Sequence, residues 1–232
     1  MITVIQPDPW VRLDTFQRWF PENEVRSIDP TSQPLPAITD IGNGLLLLGG
    51  RQNALDHQAS AWIPPLQALL RDAYTHNIAV LGICLGHQIL ADTFGGTVSL
   101  AHPGGAEEGV YPITLTAAGL QDPYFASLSH PIVVQQSHND CVLEAPAAAE
   151  VLATSATGSI QAFRLGTLVG VQFHPEASAA TMQAWAEGER GEYEAENPGI
   201  GARMFAEVQA HAAQLEDVRQ TIATAFKQAT CQ

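Results

Sequence analysis

The chain has 232 residues and a formal net charge of −14 at pH 7, with only 10 Lys and Arg; that balance argues against nucleic acid or an anionic membrane as partner. No apolar run approaches the roughly 20 residues of a membrane span, and the start Met1-Ile-Thr-Val-Ile-Gln6 enters a strand with no basic region or cleavage site of a secretory signal. Three scattered cysteines, Cys84, Cys141 and Cys231, argue for a reducing compartment, read as cytoplasm, and against a disulfide framework or metal cluster.

In chain order, Ile2–Ile5, Val25–Ile28, Leu45–Leu48 and Ile78–Ile83 are short and largely apolar, which predicts buried strands. Amphipathic spacing predicts helices between some of them, over about Val11–Phe20 and Ala59–His76. Such alternation predicts a parallel sheet with right-handed crossovers. From Thr97 the pattern changes to short strands with turns, Tyr111–Leu115, Ile132–Gln135, Ser159–Arg164 and Leu168–Phe173, which predict an antiparallel extension. The expected fold class is α/β: three layers, a mostly parallel central sheet, flanking helices and a small antiparallel extension.

Glu187–Gly201 predicts an acidic loop or linker, and a long helix follows over about Ala202–Gln228. Val208, Leu215 and Ile222 recur along that helix at seven-residue spacing, a stripe that covers either the domain's own core or a partner. Residues 1–186 are thus expected to form the functional domain, with 187–232 packed on it.

Cys84 lies where a predicted strand passes into a helix-period pattern, in Val80-Leu-Gly-Ile-Cys-Leu-Gly-His-Gln88. Gly82 and Gly86 flank it at minus two and plus two, the spacing of a nucleophile elbow, in which side chains at those positions would strike neighbouring backbone. At a helix N-terminus a thiol meets unpaired N–H groups and the positive end of the dipole, which favour the thiolate. A lone cysteine is most often a small core residue; the two glycines and the strand-to-helix switch point to a nucleophile instead.

A nucleophile needs a base, and the base needs an orienting group. Of the eight histidines, His174 is the best candidate. It ends the apolar run Leu168-Val-Gly-Val-Gln-Phe-His174, Pro175 stops the strand, and Glu176 is two residues away to hold one ring nitrogen. His87, three residues after Cys84, is expected to support its helix. His138 is a third candidate.

Gly82-Ile-Cys-Leu-Gly-His-Gln88 together with Phe173-His-Pro-Glu176 resembles the class I glutamine amidotransferases, and most nearly the glutaminase part of GMP synthase and its free-standing relatives. The resemblance runs to about Trp185. It implies a Cys84, His174, Glu176 triad that hydrolyses the side-chain amide of glutamine through a γ-glutamyl thioester, with no cofactor and no metal. It further implies that the N–H groups of Gly50 and Leu85 form an oxyanion hole, and that Gln88, with the backbone of Ser137 and His138, binds the α-amino and α-carboxylate groups.

Where relatives continue Gly-Gly-Pro, this chain has Gly49-Gly50-Arg51, and Arg51 reaches either solvent or an anionic substrate. Glu108-Gly109 also matches a family motif and is expected to be structural. The reading that follows is a free-standing amidotransferase supplying ammonia to a separate synthetase subunit. The alternatives are a self-sufficient γ-glutamyl hydrolase and a non-catalytic module on the same fold, the last disfavoured by the complete triad.

Overall fold

The computed structural model describes residues 1–188 and 192–231. In chain order the elements are β1 (Ile2–Ile5), β2 (Val25–Ile28), β3 (Gly44–Leu47), α1 (Ile63–Thr75), β4 (Ala79–Ile83), α2 (Leu85–Thr93), β5 (Thr97–Ser99) and β6 (Glu107–Leu115). They continue with β7 (Ile132–His138), β8 (Cys141–Glu144), β9 (Glu150–Thr154), β10 (Ile160–Leu165), β11 (Leu168–Val171), α3 (Ala179–Glu187), α4 (Glu192–Glu196), α5 (Ile200–Ala210) and α6 (Ala212–Ala229).

The central sheet runs β2-β1-β3-β4-β11-β10-β9-β6-β7. From β2 to β11 neighbouring strands are parallel, and from β11 onward they are antiparallel. β1, β3, β4 and β11 are buried along their whole length, because helices cover both faces of the parallel half. On one face Leu45, Leu47 and Val80 pack with Leu66 and Leu70 of α1 and Ile89 of α2. On the other, Val4, Leu46 and Leu81 pack with Phe16, Phe20 and, from α6, Ile222 and Phe226. This is the three-layer α/β arrangement expected from the alternation, and its antiparallel half contributes β10, β9, β6 and β7.

Several boundaries depart from expectation. The helix expected over Val11–Phe20 is only a 3₁₀ turn, Asp14–Arg18; Asp14 adopts a left-handed φ of 43° and spends its carboxylate on Ser178 N and Thr181 Oγ1, a distant cap that overrides local periodicity. Helix α1 begins at Ile63 rather than Ala59 because Pro64 and Pro65 are tolerated only in a first turn. Strands β5, β8 and β9 carry half-exposed, mixed sequences with no clear period, so local pattern does not announce them.

Of the stretch Glu187–Gly201, residues 189–191 lie outside the described residues. The remainder holds α4 and the start of α5, with the Glu194 carboxylate accepting from Gly199 N and Gly201 N, so it is more helical than a loop. The expected terminal helix is two helices that part at His211. Met204 and Val208 of α5 pack with Met182 and Ala186 of α3, whereas Val218, Ile222 and Phe226 of α6 enter the main core. Two different targets require two helix directions. The apolar stripe therefore covers the chain's own core rather than an external partner.

Candidate active site

Cys84 joins β4 to α2 with φ 52° and ψ −105°, a backbone conformation that costs on the order of 1–3 kcal/mol for a non-glycine residue. The surroundings hold it there. Cys84 N donates to Val171 O of the neighbouring strand at 2.9 Å, and Gln88 N donates to Cys84 O at 3.0 Å. A Cβ on Gly82 would lie 2.7 Å from the Gly86 carbonyl, and one on Gly86 would lie 2.6 Å from Leu47 O, so both flanking glycines are required by backbone-to-backbone contact.

His174 follows the end of β11, with its N–H donated to Gln135 O at 3.0 Å. Its Nδ1 donates to Glu176 Oε1 at 2.7 Å, and the ring and Cys84 line the same cavity. Burial opposes charging of this imidazole, but the Glu176 carboxylate and the Cys84 sulfur hold its pKa well above the ordinary histidine value. An acid–base group with its tautomer set is thus seated beside a sulfur atom.

The loop bearing His174 and Glu176 is clamped from three sides, one of them Thr15, whose N and Oγ1 donate to Glu176 O at 3.0 and 2.6 Å. Gln135 Nε2 donates to His174 O and Ala177 O, both at 2.6 Å. From α6, buried Arg219 donates through Nε to Pro175 O and through Nη2 to Ala177 O, each at 3.0 Å. No local signal in the sequence marks Arg219 for this task.

Gly50 meets Leu85 across the site: a Cβ on Gly50 would stand 3.1 Å from Leu85 Cδ2. Leu85 opens α2, so its N–H belongs to the first helical turn, whose donors have no intrahelical acceptor. The glycine loop is tied by Asp8, which is buried and accepts from Arg51 N at 3.2 Å, Arg51 Nε at 2.7 Å and Arg51 Nη2 at 3.2 Å. Arg51 therefore braces the loop through an ion pair, and burial of Asp8 is outweighed by these hydrogen bonds, which hold its carboxyl below the usual range.

A polar cavity of about 340 Å³ opens beside Cys84, with Gln88, Glu108, Ser137 and His138 in its lining. Gln88 Nε2 donates to Asp140 O at 3.0 Å and to Gln172 Oε1 at 3.3 Å. The His138 ring is engaged away from Cys84, Nδ1 hydrogen-bonded to Asp140 O and Nε2 in ion-pair range of Glu107 Oε2, each at 3.0 Å. His138 is no base for Cys84.

His87 is sealed in the core, Nε2 at 3.1 Å from Ile160 O and its ring against Phe163, and burial pushes its pKa down to about 3. It supports the helix, as the spacing predicts.

Glu108, expected to be structural, lines the same polar cavity as Cys84. Burial pushes its carboxyl up to about 7 against the hydrogen bond from Ser137, and its Oε2 is buried without a partner. The pairing of β6 with β7 brings it there, Glu108 opposite Ser137. The motif Glu108-Gly109 is the signal for it in the sequence.

A second, smaller cavity of about 150 Å³ adjoins Cys84 on the side of His174 and is walled by Trp10, Val11 and Trp185. The Trp185 and His174 rings lie edge to face with centroids 4.7 Å apart, and Trp185 Nε1 donates to Trp10 O at 3.0 Å.

Residues 24–186 match the family model described as glutamine amidotransferase class-I. The chain is 34% identical over 154 residues to a subunit of the glutamine-hydrolyzing GMP synthase of Pyrococcus abyssi, an alignment covering 65% of this chain and 76% of that one. It is 42% identical over 97 residues to the glutamine-hydrolyzing GMP synthase of Pyrobaculum aerophilum, covering 42% of this chain but only 18% of that protein. It is also 35% identical over 108 residues to anthranilate synthase component 2 of Archaeoglobus fulgidus, covering 47% and 57% of the two chains. Among solved structures, a glutamine amidotransferase from Thermotoga maritima has a TM-score of 0.85 at 23% identity, over 99% of this chain and 97% of that one. Another, from Methylobacillus flagellatus, has a TM-score of 0.82 at 24% identity over 98% and 94%.

Proposed function

Because this chain belongs to the class I glutamine amidotransferase family, we propose that it hydrolyses the side-chain amide of glutamine through a thioester on Cys84 and passes the ammonia to a separate synthetase subunit. The observation that carries this reading is Cys84, on its strained elbow, lining one cavity with a His174 that is hydrogen-bonded to Glu176, and lining a second, polar cavity on its other side.

Each group has one task. His174 holds the thiol proton while the Cys84 sulfur attacks the amide carbon, and Glu176 stabilises the resulting imidazolium. The N–H groups of Gly50 and Leu85 receive the oxyanion, a contribution of roughly 10²–10³ in rate per donor in comparable sites. As the C–N bond breaks, His174 delivers its proton to the nitrogen and ammonia leaves. Water then loses a proton to His174, attacks the thioester carbon and frees glutamate, restoring the thiol.

The zwitterionic end of glutamine sits in the polar cavity. Gln88 and the Ser137-His138 backbone hold the carboxylate and amino groups, and the unpartnered Glu108 Oε2 accepts the α-ammonium. The relatives include both GMP synthase subunits and an anthranilate synthase component, so the reading specifies the ammonia-forming half reaction and leaves the acceptor open.

Equal amounts of glutamate and ammonia formed from glutamine by the purified chain, absent in Cys84→Ala, are the expected result. Stimulation by cell extract is expected of a subunit that completes its site on docking. Glutamine left intact by the wild-type chain both alone and with extract would overturn the proposal.

A further inference from the structure

Two cavities meet at Cys84, and they differ in chemistry. The polar one contains Gln88 and Glu108; the smaller one contains His174, Trp10, Val11 and Trp185, and His174 is absent from the lining of the first. In acyl transfer the leaving nitrogen must face the group that protonates it. With His174 in that role, the leaving amine projects into the aromatic cavity while the charged γ-glutamyl portion occupies the polar one.

Ammonia is about the size of a water molecule, whose share of volume is about 30 Å³. The cavity offers about 150 Å³, and an apolar cavity of about that volume accommodates benzene. Its walls are built rather than incidental. The Trp185 indole is fixed by its hydrogen bond to Trp10 O and its contact with His174, and the Arg51 guanidinium stands 6.0 Å from the Trp10 ring centroid while bound by Asp8. That ion pair neutralises the Asp8 and Arg51 wall, which leaves no free cation there, among the described residues, to bind the carboxylate of an amino acid and favours an uncharged substituent.

We infer that this cavity is a leaving-group subsite, and that the site also cleaves γ-glutamyl amides whose nitrogen carries an alkyl or aryl group of about the size of benzene. The inference rests on the thioester chemistry proposed above. Cys84 takes the γ-glutamyl group, the C–N bond breaks, His174 protonates the amine as it departs, and water returns glutamate and the thiol.

The test compares glutamine, γ-glutamyl methylamide and γ-glutamyl benzylamide by glutamate release, using the whole chain, Trp10→Ala, Trp10→Phe and Trp185→Ala. The expected result is a kcat/KM about tenfold or more higher for the benzylamide than for the methylamide. That ratio should fall toward one in both alanine variants and persist in Trp10→Phe. Trp10 is 38% exposed, so its truncation leaves the core intact. Hydrolysis of glutamine with no benzylamide cleavage, or with no preference for it over the methylamide, overturns the subsite alone. No glutamate from any of the three substrates overturns the thioester reading and the subsite with it.

Discussion

His174 Nδ1 and Glu176 Oε1 stand 2.7 Å apart, with 3% and 0% of their side chains exposed. A pair so enclosed has no solvent to reorient the imidazole, so the carboxylate alone fixes which nitrogen faces Cys84. His174→Ala should lower kcat on the order of 10⁴- to 10⁶-fold. Glu176→Gln keeps the shape but not the charge and should cost less, on the order of 10²- to 10⁴-fold. Single-turnover kinetics with circular dichroism as a folding check would measure both. His87→Ala is the control: its effect should fall on thermal stability, by about 2–5 kcal/mol for a large-to-small core change, and a kcat loss equal to that of His174→Ala in folded protein would reassign the base.

Cys84 should react first with a glutamine-like diazo-ketone, because it alone adjoins His174. Cys141 is fully buried and burial pushes its thiol up to about 11, which suppresses the thiolate at neutral pH. Cys231 is exposed, with its sulfur against Lys227 O. Peptide mapping of the adduct decides; labelling chiefly at Cys231 would show that exposure rather than activation governs reactivity.

The Glu108 carboxyl, raised to about 7 by burial, predicts a pH effect on binding. Below that value it is neutral and attracts no ammonium; above it the carboxylate is available. The KM for glutamine should therefore fall as pH rises between about 6 and 8. Glu108→Gln should raise KM roughly tenfold and flatten the profile. An unchanged pH dependence in that variant would remove Glu108 from the substrate site.

Arg219 ties α6 to the loop carrying His174 and Glu176. Arg219→Met retains bulk, leaves Ala177 O with Gln135 and takes this donor away from Pro175 O, at a cost of about 1–3 kcal/mol. Thermal melting should show a Tm lower by about 2–10 °C, with kcat reduced because His174 and Glu176 lose a support. A variant with unchanged Tm and kcat would show that Gln135 and Thr15, which donates to Glu176 O, hold the loop without Arg219.

The features legible in the chain are those whose cause is local. Gly82 is kept bare by the Gly86 carbonyl four residues on, and although Gly86 is kept bare by Leu47 O of β3, the spacing itself lies within seven consecutive residues, so the elbow around Cys84 can be read from the sequence, and His174-Pro-Glu176 is equally compact. Buried parallel strands such as β1 and β4 are apolar on both faces and announce themselves for the same reason.

What tertiary structure alone decided involves residues brought together from far apart. Strand pairing seats Cys84 beside His174, 90 residues later, through Cys84 N and Val171 O. The pairing of β6 with β7 sets Glu108 opposite Ser137, and a fork from α6 steadies the loop after His174. The aromatic cavity is assembled from Trp10, Arg51 and Trp185, three residues with no shared local pattern. A helix predicted by period became a turn at Asp14 and another broke at His211, because the free energy of burying distant apolar surface and satisfying distant polar groups exceeds the small intrinsic preference of any one segment.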